Sequence, residues 1–167
     1  KIQQADYETD EEVAISCEEN WGDVYTDKHN LSKQLSVILT DLLKDKPDSR
    51  ILDLNADTGR LAFELARNFK DVTALDFTAR MIRIPIQLQE QGYVRYTMRD
   101  EGELVFYRDI VLNDFELTEV KDNVLFMQAD AMNLKDIYSG YDLIIVPALL
   151  EELRDPKLFM SMIHNRI

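Results

Sequence analysis

Asp53, Asp76 and Asp130 each close or follow a short apolar run, and between the first run and an amphipathic stretch lies the turn Asn55-Ala56-Asp57-Thr58-Gly59. Those residue types at those places suit a nucleotide. A carboxylate at the end of a strand can accept hydrogen bonds from both hydroxyls of a ribose, and a turn that opens a helix presents backbone N–H groups to a ligand. Asp76 is placed for the ribose, and Asp130 for the amino group of an adenine. Asn55, Asp57 and Gly59 in the turn, with Phe77 and Ala131 beside the two aspartates, complete a candidate cofactor-binding set with Asp53, Asp76 and Asp130. A single aspartate at such a position is commonly a strand-end or capping residue. Their recurrence at successive strand ends is what carries the reading.

Two loop patterns compete for residues 53–60. The dinucleotide fingerprint G-x-G-x-x-G requires glycines at 55, 57 and 60, where the chain has Asn55, Asp57 and Arg60. The S-adenosylmethionine pattern, acidic-x-G-x-G-x-G, finds Asp53 and Gly59, with Asn55 and Asp57 substituted. The second pattern therefore fits better. Asn tolerates a left-handed backbone, so Asn55 is expected to hold the turn that glycine usually makes. Asp57 either faces a cationic ligand or fills the space that the ligand needs.

The elements that position these residues are legible in the hydrophobic spacing. Arg50–Leu54 and Val72–Asp76 read as strands flanking a helix from about Thr58 to Phe69. A second helix runs from 79 to 91, opened by Thr78 and closed by Gly92, with Pro85 predicting a kink or short break. Tyr93–Met98 and Glu103–Ile110 read as a β-hairpin joined by residues 99–102. Val124–Gln128 is a third core strand, and Tyr141–Val146 reads as a fourth, buried on both faces. Helices are expected over about 148–154 and 156–166, and Asn30 caps a helix whose face carries Leu31, Leu35, Ile38, Leu39, Leu42 and Leu43. Strands alternating with helices predict an α/β fold with a parallel, doubly wound sheet and helices on both faces.

Bulk properties narrow the function class. The chain has 167 residues, 46% of them hydrophobic, enough for one core. A net charge of −13 argues against nucleic acid as a partner. No apolar run approaches the length of a bilayer span, so no membrane is expected. The lone Cys17 points to a reducing, cytoplasmic setting, and no Cys/His cluster has metal-ligand spacing. Residues 1–30 hold nine Asp/Glu against Lys1 and Lys28, which reads as an acidic, solvated lead-in before a domain spanning 31–167.

Several segments resemble one family. FELARNF, ALDFTARMIR, IQLQEQGYVRY, EGELV, FMQADAMNLK, GYDLI and IHNRI are similar to the C-terminal methyltransferase domain of the ovothiol-biosynthesis enzyme, a 5-histidylcysteine sulfoxide synthase fused to a mercaptohistidine N-methyltransferase. The resemblance covers residues 50–167. It implies a Rossmann-like class I fold with the hairpin of about 93–110 as an insert, S-adenosylmethionine as donor, and N-methylation of a small thiohistidine. The family's first motif, D-I-G-C-A-V-G-R, is met by Asp53, Gly59 and Arg60, and its A-N-L-I after the fourth strand is replaced by Pro147-Ala148-Leu149-Leu150. An imidazole nitrogen is nucleophilic when neutral, so aligning donor and acceptor is most of the catalysis, and no single catalytic residue emerges. Arg60, Arg80 and Tyr96 are candidates to hold a substrate carboxylate.

A class I sheet has seven strands, and Ile167 falls just before the fifth is due. The expectation is a sheet whose fourth strand needs a second copy or a partner chain on its edge. The alternative to an enzyme is a degenerate, non-catalytic domain that serves as an interaction or scaffold module.

Overall fold

The computed structural model describes residues 9–23, 29–100 and 104–167, so the centre of the hairpin loop and the first residues lie outside the described residues. Its sheet contains β1 (Arg50–Asp53), β2 (Asp71–Asp76), β5 (Val124–Gln128) and β6 (Leu143–Ile145), in the order β5-β2-β1-β6. All three pairings are parallel. Asp53 lies opposite Ala74 on one side and Ile145 on the other, and Asp76 lies opposite Gln128. The carboxyl ends of the strands therefore fall along one edge, which is where open α/β sheets take their ligands.

Alternation along the strands splits the core in two. Ile51, Val72, Ala74 and Phe126 face one layer, with α3 (Arg60–Leu65) and α4 (Ala79–Gln91). Leu52, Leu54 and Leu75 face the other, with Leu149 of α5 (Leu149–Glu152) and Phe159 of α6 (Pro156–Ile163). Helices thus cover both faces, as the strand–helix alternation predicts. The fourth strand is shorter than expected. Only 143–145 pair, and Leu143 and Ile144 are partly exposed, so the apolar run Tyr141–Val146 is not buried on both faces among the described residues.

The hairpin forms a separate sheet of β3 (Tyr93–Arg99) and β4 (Val105–Val111), paired from Tyr93 opposite Val111 to Arg99 opposite Val105. Val94, Tyr96 and Ile110 turn into the core, while Leu104, Val105 and Tyr107 are exposed. Helix α4 runs unbroken through Pro85, contrary to the expected break. The ring is buried and lies where Gly59 leaves room for it, so packing offsets the lost N–H.

Two expectations about the front of the chain are corrected. Residues 10–21 form α1, capped by Thr9, whose Oγ accepts from the Glu12 N–H at 3.2 Å. Ala14, Cys17 and Trp21 sink into the core beside Phe63 and Phe115, so this stretch is not a solvated lead-in. Asp10, Glu11, Glu12 and Glu19 are exposed, while Glu18 is partly buried. Helix α2 (Leu31–Leu42) is capped by Asn30 as read. Its apolar residues divide, however: Leu35, Leu39 and Leu43 pack inward at i, i+4, i+8, while Leu31, Ile38 and Leu42 are exposed. The apolar stripe is wider than the contact with the core.

Trp21 is 1% exposed and makes edge contacts with two phenylalanines. Trp21→Ala is expected to cost about 3–5 kcal/mol in urea unfolding. A detached lead-in would leave the midpoint unchanged.

Candidate functional site

The turn after β1 is built around Asp57. Its backbone is left-handed, with φ +51°, and Gly59 follows with φ +85°. Asn55 does not take the left-handed role expected of it. Its side-chain N–H donates instead to the Pro147 carbonyl at 2.9 Å, tying the loop after β1 to the loop after β6. Gly59 is required by space as well as by φ: a Cβ there would lie 2.4 Å from Pro85 Cβ and 3.0 Å from Phe126.

The Asp57 side chain turns back onto the N-terminal helix. Its Oδ1 accepts from Ser16 Oγ, and its Oδ2 accepts from Asn20 Nδ2 at 3.0 Å. Those partners lie 41 and 37 positions earlier, on α1. Trp21 Nε1–H donates to the Thr58 carbonyl at 3.2 Å, a second tie between the same helix and the same turn. Meanwhile the Asp57 N–H donates to Asp76 Oδ2 at 2.8 Å, and the Thr78 N–H to Asp76 Oδ1 at 2.7 Å. One residue therefore joins α1, the first turn and the end of β2. Sequence reasoning missed Ser16 and Asn20, because no local spacing signals a contact that distant. An aspartate at a left-handed, glycine-type position was the only hint that something held it.

The other candidate residues are distributed as follows. Asp53 is fully buried, and its Oδ2 has no hydrogen-bond partner among the described residues. Phe77 is 47% exposed directly after Asp76, an open aromatic surface at the edge of the sheet. Asp130 is exposed and caps the short turn that begins at Ala131, accepting from the Met132 N–H at 2.8 Å through Oδ1. Arg60 is not a substrate-gripping residue. It is 1% exposed, bonded to Glu64 at 2.9 Å and to both oxygens of Asp23, with its guanidinium over Trp21 and Phe115. Arg80 pairs with Asp10 of α1, and Tyr96 donates its hydroxyl to Glu18 at 2.7 Å.

Four carboxyls at or near this edge are shifted upward. Burial, with Asp76 and Asp57 as like-charged neighbours, raises the Asp53 carboxyl to about 7 against the stabilising Asn55 N–H. Burial raises Asp76 to about 6, opposed by the Thr78 and Asp57 amides. Asp57 is raised by burial, and Glu152 by burial, then Asp76. Burial shifts all four upward, and like-charged neighbours add to it for Asp53, Asp76 and Glu152.

These shifts fix the sign of a pH effect. The native carboxyls of Asp53 and Asp76 hold protons that the unfolded chain, at 3.8, has released. The stabilisation is fully present below about pH 4 and is lost as pH rises through about 6–7. Urea unfolding of the ligand-free chain is expected to show stability falling across that window, and Asp53→Asn to flatten the slope. For the loop, Asp57→Asn keeps the left-handed tolerance and both contacts with α1, and should stay within about 1 kcal/mol of the parent. Asp57→Ala removes the acceptor of the Ser16 hydroxyl and leaves Asn20 Nδ2 with Ser16 alone, and should lose about 2 kcal/mol.

Solved structures share this arrangement at low sequence identity. A protein assigned as an S-adenosyl-L-methionine-dependent methyltransferase from Methanococcus maripaludis superposes with a TM-score of 0.60 at 15% identity, over 95% of this chain and 60% of that one. YcgJ from Bacillus subtilis gives 0.55 at 16% identity, over 83% and 47%. The N-terminal domain of EvdMO1 with S-adenosylhomocysteine bound gives 0.54 at 15%, over 80% and 44%. The chain thus spans about half the length of the solved structures it matches. No curated protein sequence matches it. The family model described as a methyltransferase domain matches residues 28–167, and the chain belongs to that family.

Proposed function

We propose that this chain is the cofactor-binding part of an S-adenosylmethionine-dependent methyltransferase that acts on a small molecule. The family, and relatives that hold S-adenosylhomocysteine, imply S-adenosylmethionine as the cofactor. The residues fit that group. Asp53 keeps a buried carboxylate oxygen with no partner among the described residues, and Asp76 and Glu152 add carboxyls near it that suit a ligand bearing a sulfonium and an ammonium. The convergence of buried carboxyls, raised above all by their burial, at the carboxyl edge is the observation that carries the reading.

When bound, the cofactor supplies a methyl group made electrophilic by its sulfonium. What this chain's residues do is hold and exclude. Asp76, locked by two backbone N–H groups, presents its remaining lone pairs at the strand end for ribose hydroxyls. Phe77 offers an apolar face for an adenine, and Asp130 keeps Oδ2 for an amino group, its Oδ1 being used on Met132. The resemblance to the ovothiol enzyme's methyltransferase domain supports a finer reading, in which the acceptor is an imidazole nitrogen of a thiohistidine. A neutral imidazole needs no strong base, in keeping with a site that holds carboxylates rather than a histidine.

Isothermal titration with S-adenosylmethionine and S-adenosylhomocysteine tests the proposal. A cation that draws on ionised carboxylates must displace their protons, so affinity for S-adenosylmethionine should rise by up to roughly tenfold per pH unit for each proton released as pH passes through about 6–7. Saturable binding that is stronger at pH 8 than at pH 5.5 is expected. Absence of binding by either ligand at both values would overturn the assignment.

A further inference from the structure

We infer that Ser16 and Asn20 of α1 are positioning residues for the cofactor, acting through Asp57 on Asp76. Cofactor affinity then depends on the docking of α1, a dependence that rests on the methyltransferase assignment above.

The path runs through three residues in turn. Ser16 Oγ donates to Asp57 Oδ1, and Asn20 Nδ2 donates to Asp57 Oδ2 at 3.0 Å. The N–H of the same left-handed Asp57 donates to Asp76 Oδ2 at 2.8 Å. Asp76 Oδ1 takes the Thr78 N–H at 2.7 Å, so the carboxylate is oriented from both sides and its free lone pairs have fixed directions. A carboxylate that accepts two ribose hydroxyls at once gains affinity from being oriented beforehand. Asn20 is itself held. Ser32 Oγ donates to its Oδ1 at 3.0 Å, which leaves its Nδ2 for Asp57. Its backbone carbonyl accepts from Asn30 and from the buried Arg60.

Packing of α1 does not by itself call for these contacts. The helix is already seated by Ala14, Cys17 and Trp21. A glycine at 57 would adopt φ +51° without penalty and would need no partner. An aspartate needs compensation there, and α1 supplies it. The Asp57 charge also acts on both Asp53 and Asp76, so the two donors fix where that charge sits relative to the edge. The geometry of the cofactor turn is in this way conditional on a helix some 40 positions earlier. Linked equilibria are reciprocal. The cofactor must therefore tighten α1 by the factor by which docked α1 tightens the cofactor.

The test is titration of the full chain with S-adenosylhomocysteine at pH 8, paired with hydrogen exchange of the α1 amides. Asp57→Gly, which keeps the left-handed turn and removes both ties, should weaken binding at least about fivefold. Ser16→Ala should weaken it in the same direction. Asp57→Asn, which keeps an acceptor for Ser16, should bind at least threefold more tightly than Asp57→Gly. Glu19→Gln, at an exposed position on the same helix, should stay within twofold of the parent. Saturating ligand should slow exchange across residues 16–21 at least about fivefold in the parent and leave it unchanged in Asp57→Gly. A role confined to holding α1 in place would lower the urea midpoint of Asp57→Gly without moving the affinity of the folded protein, and that result overturns the inference. So does tighter binding by Asp57→Gly, or α1 exchange in the parent that is indifferent to ligand. If Asp57→Gly fails to fold, Ser16→Ala and exchange in the parent decide. If the parent binds neither S-adenosylhomocysteine nor S-adenosylmethionine, the methyltransferase assignment falls and takes the inference with it. If the parent and all variants bind equally, the assignment stands and the inference alone falls.

Discussion

Everything at the carboxyl edge depends on how one residue resolves a conflict. The turn after β1 needs a left-handed residue at position 57, and an aspartate there carries a Cβ and a charge that glycine would not. The left-handed backbone costs an ordinary residue about 1–2 kcal/mol, less for an aspartate. Here the side chain supplies the compensation, because it leaves the turn and anchors α1 through Ser16 and Asn20. With the carboxylate drawn away, the amide of Asp57 is free to point at Asp76. The substitution that looks damaging in the motif is the joint between the N-terminal helix and the site.

That joint explains why the acidic front of the chain is folded. Helix α1 carries Trp21 and Cys17 into the core, and Trp21 also bonds the Thr58 carbonyl. The buried Arg60 beneath it pairs with Asp23, Glu64 and the Asn20 carbonyl, while stacking on Trp21 and Phe115. Such a fully enclosed guanidinium is tolerable only because its charge and most of its donors are met. A reading that took Arg60 as a substrate ligand had the chemistry of the side chain right and its direction wrong.

The sheet, the order of its elements and the starts of the helices after residue 30 were legible in the chain, because alternation and turn residues are local signals. Gly92, at φ +78°, closes α4 where the sequence placed its end. Asp53, Asp76 and Asp130 were legible as strand-end residues for the same reason. What escaped was whatever depends on the third dimension. Asn55 bonds a carbonyl 92 positions away, and Pro85 continues a helix because Gly59 yields it space. The outer half of the α2 stripe was invisible too, since spacing marks an apolar face and says nothing about whether anything covers it.

A last constraint ties the two mouths of the site together. Ala148, which stands where the resembling family has asparagine, is held at φ +53° at the start of α5, next to the carbonyl that Asn55 grips. Alanine has no side-chain amide with which to ease that conformation, so the strain persists only while the loop around it is fixed. Asn55 is what fixes it. The loops after β1 and β6 therefore share one hydrogen bond and one strained residue, and Glu152 follows within the same short helix, close enough for Asp76 to shift its carboxyl. The acidic edge is thus a closed arrangement of β1, β2 and β6 rather than a row of independent strand ends.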